Sequence, residues 1–215
     1  MRETRVLCFG DSNTWGFDPA SGDRFPKNIR WVGRLATLLG DDFDVISEGL
    51  NGRTAAGPEP VMRLNSAYDD LIVALRSHKP IDHVVLMLGT NDFKRRFARS
   101  ENDIATGLGQ LVDLALKSDE VVGKPSQRLT LVAPLSIRLD GALDPAQAES
   151  RTAEFKDAVG VSERLPKVLA DLAKDRGCAF LDPNEKLKSS ERDAIHWEAE
   201  THEAFAHLLA ARIST

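Results

Sequence analysis

Apolar residues in this chain come either in short unbroken runs or in stripes at helical spacing, and the two kinds alternate. Val6-Leu7-Cys8-Phe9 lies between Arg5 and Gly10. A run that short, stopped by a glycine, predicts a buried strand over Arg5–Phe9. The segment "WVGRLATLLG" has its apolar residues at helical spacing and ends in glycine, which predicts a helix over Trp31–Gly40. Phe43–Ser47 reads as a second strand, and Ser66–Lys79 as a helix closed by Pro80. His83–Leu88 is the most apolar run and predicts the central strand. Ser100 and Asp103 have capping-box spacing and open a helix that reaches Lys117. Arg128–Ala133 and Cys178–Leu181 predict the fourth and fifth strands. Between them, Ala146–Arg176 reads as helical in two pieces, interrupted near Gly160-Val161 and reopened by Pro166. Glu198–Ile213 reads as a closing helix.

Strands that alternate with helices imply parallel strands joined by right-handed crossovers. The predicted fold class is therefore α/β, a three-layer α/β/α sandwich over a five-stranded parallel sheet. No repeat, low-complexity tract or linker divides the 215 residues, so residues 1–215 read as a single domain. The connections at 18–27, 54–62 and 135–145 are long for such a scaffold, and long loops there often line a site.

Composition narrows the function. Apolar residues make up 42%, enough for a core, and 28 Lys+Arg against 33 Asp+Glu give a net charge of −5. That balance lacks the basic footprint of a general nucleic-acid binder. The main basic cluster, Lys94-Arg95-Arg96 between Phe93 and Phe97, reads as an exposed helical turn. No segment approaches the ~20 apolar residues of a membrane span, and the first apolar run is too short for a signal-peptide core. A cytoplasmic protein without nucleic-acid or membrane partners is the expectation. Cys8 and Cys178 each fall in or beside a predicted strand and read as core thiols, with neither zinc-site nor disulfide spacing.

In an open parallel sheet, ligands bind beyond the carboxyl ends of the strands. Gly10-Asp11-Ser12 follows the first predicted strand, "EGLNGRT" the second, and Gly89-Thr90-Asn91-Asp92 the third. "RDAIHW", Arg192–Trp197, comes one loop after the fifth. These clusters hold the parts of an acyl-transfer site. A serine hydroxyl needs a base to become a nucleophile. His196 is suited to be that base, and Asp193, three residues earlier, to hold its tautomer. The Asn91 amide and the backbone N–H groups of Ser12 and Gly52 are candidate oxyanion donors. Taken alone, Ser12 is equally a helix N-cap, Asp193 a loop acid, and Asn91 a turn residue. Asp11 and Asp92 read as turn stabilisers. A phosphate-binding module is the competing class, but neither the G-x-G-x-x-G fingerprint nor the P-loop lysine follows the first strand.

Gly10-Asp11-Ser12 with Thr14 and Gly16 resembles the first block of the GDSL, or SGNH, hydrolases. Gly52, Gly89-x-Asn91-Asp92 and Asp193-x-x-His196 match the second, third and fifth blocks in order. "CFGDSNTWG", "VISEGLNGRT", "VVLMLGTND" and "DAIHW" are similar to the bacterial arylesterases and acyltransferases of that superfamily. The resemblance implies a flavodoxin-like fold and a serine esterase for short acyl esters, aryl esters included, that works through an acyl-enzyme. It implies Ser12, His196 and Asp193 as the triad, Ser12, Gly52 and Asn91 as the oxyanion hole, no metal or other cofactor, and a homo-oligomer. Acyl transfer to alcohols is a further implied activity. Asn13, Trp15, Phe97, Ile195 and Trp197 are candidate walls of the ester pocket, with Trp31 placed in the core at least as readily. Carbohydrate O-deacetylation, thioester cleavage and lysophospholipid cleavage are alternatives that use the same triad. The loops after the first block look shorter than in the acyltransferase-type relatives, which leaves oligomer size and transfer against hydrolysis open.

Overall fold

Alternate side chains of the first strand enter two separate cores. Leu7 and Phe9 are buried in one and Val6 and Cys8 in the other, because successive residues of a strand face opposite sides. The computed structural model describes residues 2–123, 128–141 and 143–213. Residue 142, inside the long connection expected at 135–145, lies outside them.

The elements follow in the order β1 (Thr4–Gly10), α1 (Ser12–Trp15), α2 (Trp31–Leu39), β2 (Phe43–Gly49), α3 (Ala67–His78) and β3 (His83–Met87). Then come α4 (Glu101–Lys117), β4 (Leu129–Val132), α5 (Pro145–Phe155), α6 (Val159–Arg176), β5 (Ala179–Leu181) and α7 (Ala199–Ile213). The strands form one sheet in the order β2-β1-β3-β4-β5. Every adjacent pair is parallel, with Gly10 opposite Gly49 on one side and opposite Met87 on the other. Helices α3, α4 and α6 pack on one face through Leu71, Leu108 and Leu169, and α2 and α7 on the other through Trp31, Leu35 and Phe205. The five-stranded α/β sandwich expected from the alternation is the fold observed. No helix among the described residues is long and apolar enough to cross a membrane.

Two details differ from the sequence expectation. The helical stretch after residue 145 breaks at 156–158 rather than at Gly160-Val161, and Pro166 lies inside α6. Gly160 falls in the first turn of α6, where no N–H has an intrahelical partner to lose. Pro166 removes the donor that the Ser162 carbonyl would otherwise bind, and the Ser136 hydroxyl, whose nearer acceptor is Asn184 Oδ1 at 3.1 Å, lies 3.5 Å from that carbonyl. The short helix α1 was not legible as a helix, since four residues carry no periodicity.

Candidate active site

Strand β1 delivers its last residue, Gly10, to a crowded place. A Cβ on Gly10 would sit 2.1 Å from the Thr14 hydroxyl oxygen and 2.7 Å from the Met87 carbonyl oxygen. The chain then turns into α1, whose N-cap is Asp11. Its carboxylate accepts the Asn13 N–H at 2.9 Å and holds the turn, as expected for this residue. Burial pushes the Asp11 carboxyl up to about 6, against hydrogen bonds from Asn13 and Thr90. The left-handed Gly16 (φ 92°) ends α1 and sends its N–H to the Ser12 carbonyl at 2.8 Å.

Ser12 is thus the first residue of a helix at the carboxyl edge of the sheet. Its Oγ lies 3.0 Å from His196 Nε2. His196 Nδ1 is hydrogen-bonded to Asp193 Oδ2 in a very short contact. The other carboxylate oxygen of Asp193 accepts the N–H groups of Ile195 (3.2 Å) and His196 (2.9 Å). The loop therefore wraps its own acid, and Ala194 takes a left-handed φ of 68° to do so. Burial alone would raise the Asp193 carboxyl. The hydrogen bond and charge of His196, with the two backbone N–H groups, hold it below the usual carboxylate range. Arg151 Nη2 stands 3.8 Å from the same carboxylate.

The second and third clusters arrive beside Ser12 through shared hydrogen bonds. Residues 50–53 form a turn closed by Arg53 N–H to the Leu50 carbonyl at 3.2 Å. Gly52 occupies its third position with φ 84°, a conformation that favours glycine. The Asn91 side-chain amide donates to the Arg53 carbonyl at 3.1 Å, which leaves its second N–H for another acceptor. Asp92 does more than stabilise its own turn. Its carboxylate accepts the N–H groups of Ala55 (2.7 Å) and Ala56 (2.9 Å) and an Arg99 N–H at 2.6 Å, and so fastens the third cluster to the second.

The candidate pocket walls divide. Asn13 is buried, and its amide donates to the Ile195 carbonyl at 3.2 Å. It joins the Ser12 turn to the His196 loop, while its Oδ1 is buried without a hydrogen-bond partner. Trp197 has no accessible surface and packs on His202 and Phe205, so it is core rather than pocket wall. Ile195 is also buried, in the core under α3, α4 and α6. Trp31 is core too, with its indole N–H donating to the Asn13 carbonyl at 3.0 Å. Trp15 and Phe97 keep accessible surface. Arg24 lies over the Trp15 ring, and Arg96 and Arg99 flank Phe97. The basic cluster is not simply an exposed turn. Lys94 is buried, and Arg96 pairs with Glu154 at 2.7 Å and with the fully buried Glu59. Arg53, Arg151 and Phe17, the ring that stacks on His196, carry no signal in the sequence. Their role depends on contacts between distant segments.

Residues 8–208 match the model of the GDSL-like lipase/acylhydrolase family. The chain belongs to that family. It is similar to the aryl esterase of M. smegmatis, at 34% identity, 98% of each chain covered and a TM-score of 0.88. It is also similar to Est24, a carbohydrate acetylesterase from Sinorhizobium meliloti, at 33% identity, 99% of each chain and a TM-score of 0.88. A member of the lipolytic G-D-S-L family from Veillonella parvula shares the fold at 16% identity, with 96% of this chain and 97% of that one covered and a TM-score of 0.66. None of the curated proteins matches the sequence significantly. This GDSL-family chain is a carboxylic ester hydrolase, like its arylesterase and acetylesterase neighbours.

Proposed function

We propose that the protein hydrolyses short-chain, acetyl-type carboxylic esters, aryl esters included, through an acyl-enzyme on Ser12. The observation that carries this reading is the continuous contact from Ser12 Oγ to His196 Nε2 at 3.0 Å and from His196 Nδ1 to Asp193. Ser12 Oγ attacks the ester carbonyl as His196 Nε2 takes its proton. Asp193 holds the Nδ1–H tautomer and stabilises the imidazolium. The carbonyl oxygen, now an anion, receives hydrogen bonds from the Ser12 and Gly52 backbone N–H groups and the Asn91 amide. Collapse of the tetrahedral intermediate expels the alcohol, which takes the proton from His196. A water then gives its proton to His196, attacks the acyl group, and releases the acid and Ser12. Where an alcohol replaces that water, the same steps give acyl transfer. Ser12→Ala is expected to abolish p-nitrophenyl acetate turnover with an unchanged circular dichroism spectrum. Substantial remaining activity overturns the assignment.

Carbohydrate O-deacetylation is a second reading, favoured by the similarity to Est24. A panel of acetylated sugars against aryl acetates separates the two. Thioester and lysophospholipid cleavage would use the same triad, and activity that rises with acyl length past about eight carbons would favour the lipid substrate. We also propose a homo-oligomer. Val61 and Met62 are 73% and 46% exposed on the loop that packs against Gly52, and exposed apolar residues beside a site suit a subunit contact. Sedimentation tests this. A cytosolic location is supported by the free thiols of Cys8 and Cys178.

A further inference from the structure

We infer that Arg53 is a positioning residue for the oxyanion hole, because one side chain and its own carbonyl tie together the three segments that carry Ser12, Gly52 and Asn91. This rests on the reading of Ser12 as nucleophile given above. The Arg53 side chain is almost fully buried. Its Nη1 donates to the Gly10 carbonyl at 2.8 Å and to the Glu48 carbonyl at 2.6 Å. Gly10 ends β1 two residues before Ser12, and Glu48 is next to last in β2. The guanidinium therefore clamps two neighbouring strands at the end of their ladder, where the Gly10 carbonyl also accepts the Leu50 N–H at 3.1 Å. Its Nε donates to Asp70 of α3 at 3.1 Å, and its Cζ lies over the Phe9 ring, 4.1 Å from the ring centre.

The main chain of Arg53 completes the arrangement. Its carbonyl accepts the Asn91 amide at 3.1 Å, and its N–H closes the turn that presents Gly52. A displacement of Arg53 therefore moves all three candidate donors relative to one another. Oxyanion donors act through fixed geometry, so small errors in their separation reduce transition-state binding more than substrate binding. Fold stability alone gives little reason for a cation here. Burying a guanidinium costs solvation, and an apolar side chain of similar size stabilises a core at least as well. What the guanidinium adds is directional: two carbonyls from different strands held by one nitrogen, in a planar group with few ways to turn. A lysine ammonium is a point charge without that planar fork.

The test uses Arg53→Lys and Arg53→Gln in the full-length protein. Turnover of p-nitrophenyl acetate is expressed per active site, titrated with a fluorophosphonate, so that unfolded molecules do not count. Inhibition by an aryl trifluoromethyl ketone reads the oxyanion geometry, since the ketone adds Ser12 Oγ to form a tetrahedral hemiketal. The expected result is a kcat lowered roughly 10–100-fold with KM nearly unchanged, and ketone affinity lost in proportion to kcat/KM. A merely structural role would lower the number of titratable sites and leave turnover per site and ketone affinity as they were, which overturns the inference. Should neither variant fold, Asp70→Asn loosens the clamp from outside the site. It is expected to lower kcat per site and ketone affinity together by a few-fold, and no change in either overturns the inference. If Ser12→Ala stays active, the underlying reading fails. If Ser12→Ala is dead while the Arg53 or Asp70 variants keep wild-type turnover per site, only the role of Arg53 fails.

Discussion

Phe17 lies on the imidazole of His196, with ring centroids 4.1 Å apart and planes within 28° of parallel. The N–H of Phe17 donates to the Ser12 carbonyl at 3.0 Å. The segment just past Ser12 therefore folds back to cover the ring that meets the Ser12 hydroxyl. An imidazole held by hydrogen bonds at its nitrogens can still rock out of plane, and the stacked ring opposes that motion.

Phe17→Ala is expected to lower kcat roughly 10–100-fold by loosening the base, in line with the sensitivity of reacting groups to small displacements. Phe17→Tyr keeps the stacked ring and is expected to stay within a few-fold of wild type. Steady-state kinetics on p-nitrophenyl acetate, compared at the pH optimum of each variant, checks both.

Asp193→Asn should be a poor substitute despite its shape. The amide oxygen would take over the N–H groups of Ile195 and His196, which now donate to Asp193 Oδ1 at 3.2 and 2.9 Å. The amide NH₂ would then face His196 Nδ1 and force the proton onto Nε2, where it cannot accept one from Ser12. A loss of roughly 10⁴ in kcat is expected, with the fold retained. Single-turnover kinetics would show the loss in the acylation step.

Asn91→Ala removes one candidate oxyanion donor and the tie to the Arg53 carbonyl. A loss of roughly 10²–10³ in kcat is expected, with a smaller effect on KM. A kcat within a few-fold of wild type would remove Asn91 from the oxyanion hole.

Asp11 sets a stability cost that grows with pH. Burial raises its folded-state value to about 6 from 3.8. Between those values the folded chain holds the proton more tightly than the unfolded chain. Stability therefore falls as pH rises through this window, by up to about 3 kcal/mol. Asp11→Asn keeps a capping side chain without the buried charge. Its stability relative to wild type, from urea unfolding, is expected to improve between pH 4 and pH 7.

His202 acts in the opposite sense. It is fully buried, and its Nδ1 accepts the Trp31 N–H at 3.4 Å. Burial first, then the charge of Arg30, pushes its value from 6.5 down to about 3. The unfolded chain takes up that proton first, so this contribution is present above about pH 6.5 and is lost as pH falls toward 3, at about 1.4 kcal/mol per unit. His202→Gln is expected to flatten the acid side of the stability profile. The Asp11 and His202 slopes oppose each other near pH 5, so the wild-type curve alone hides both, and the two variants separate them.

The strand and helix order was readable because burial on a two-faced sheet imposes periodicity. The alternation of Val6, Leu7, Cys8 and Phe9 between two cores is that constraint written in residues. Ser12, His196, Asp193, Gly52 and Asn91 were readable as a set because each follows a strand, and parallel strands end on one edge. Pro166 was misread because local propensity marks it as a helix start, whereas in the fold the helix runs on through it and Pro166 is buried inside α6. Trp197 was misread because an aromatic next to His196 looks like a pocket wall until Phe205 is seen packed against it.

By itself, then, the chain's order of apolar runs and turn residues determined an α/β sandwich with a serine, a histidine and an acid at one edge, since those signals are local in sequence and their placement follows from strand direction. Only the tertiary structure decided that Ser12 Oγ stands 3.0 Å from His196 Nε2, that Asn13 braces the site from within, and that Phe17, Arg53 and Asp92 hold its parts in register. Those contacts join segments distant in the chain, or depend on which way a side chain turns, and neither leaves a periodic trace. They exist only once packing has chosen one neighbour for each polar group that would otherwise be buried alone.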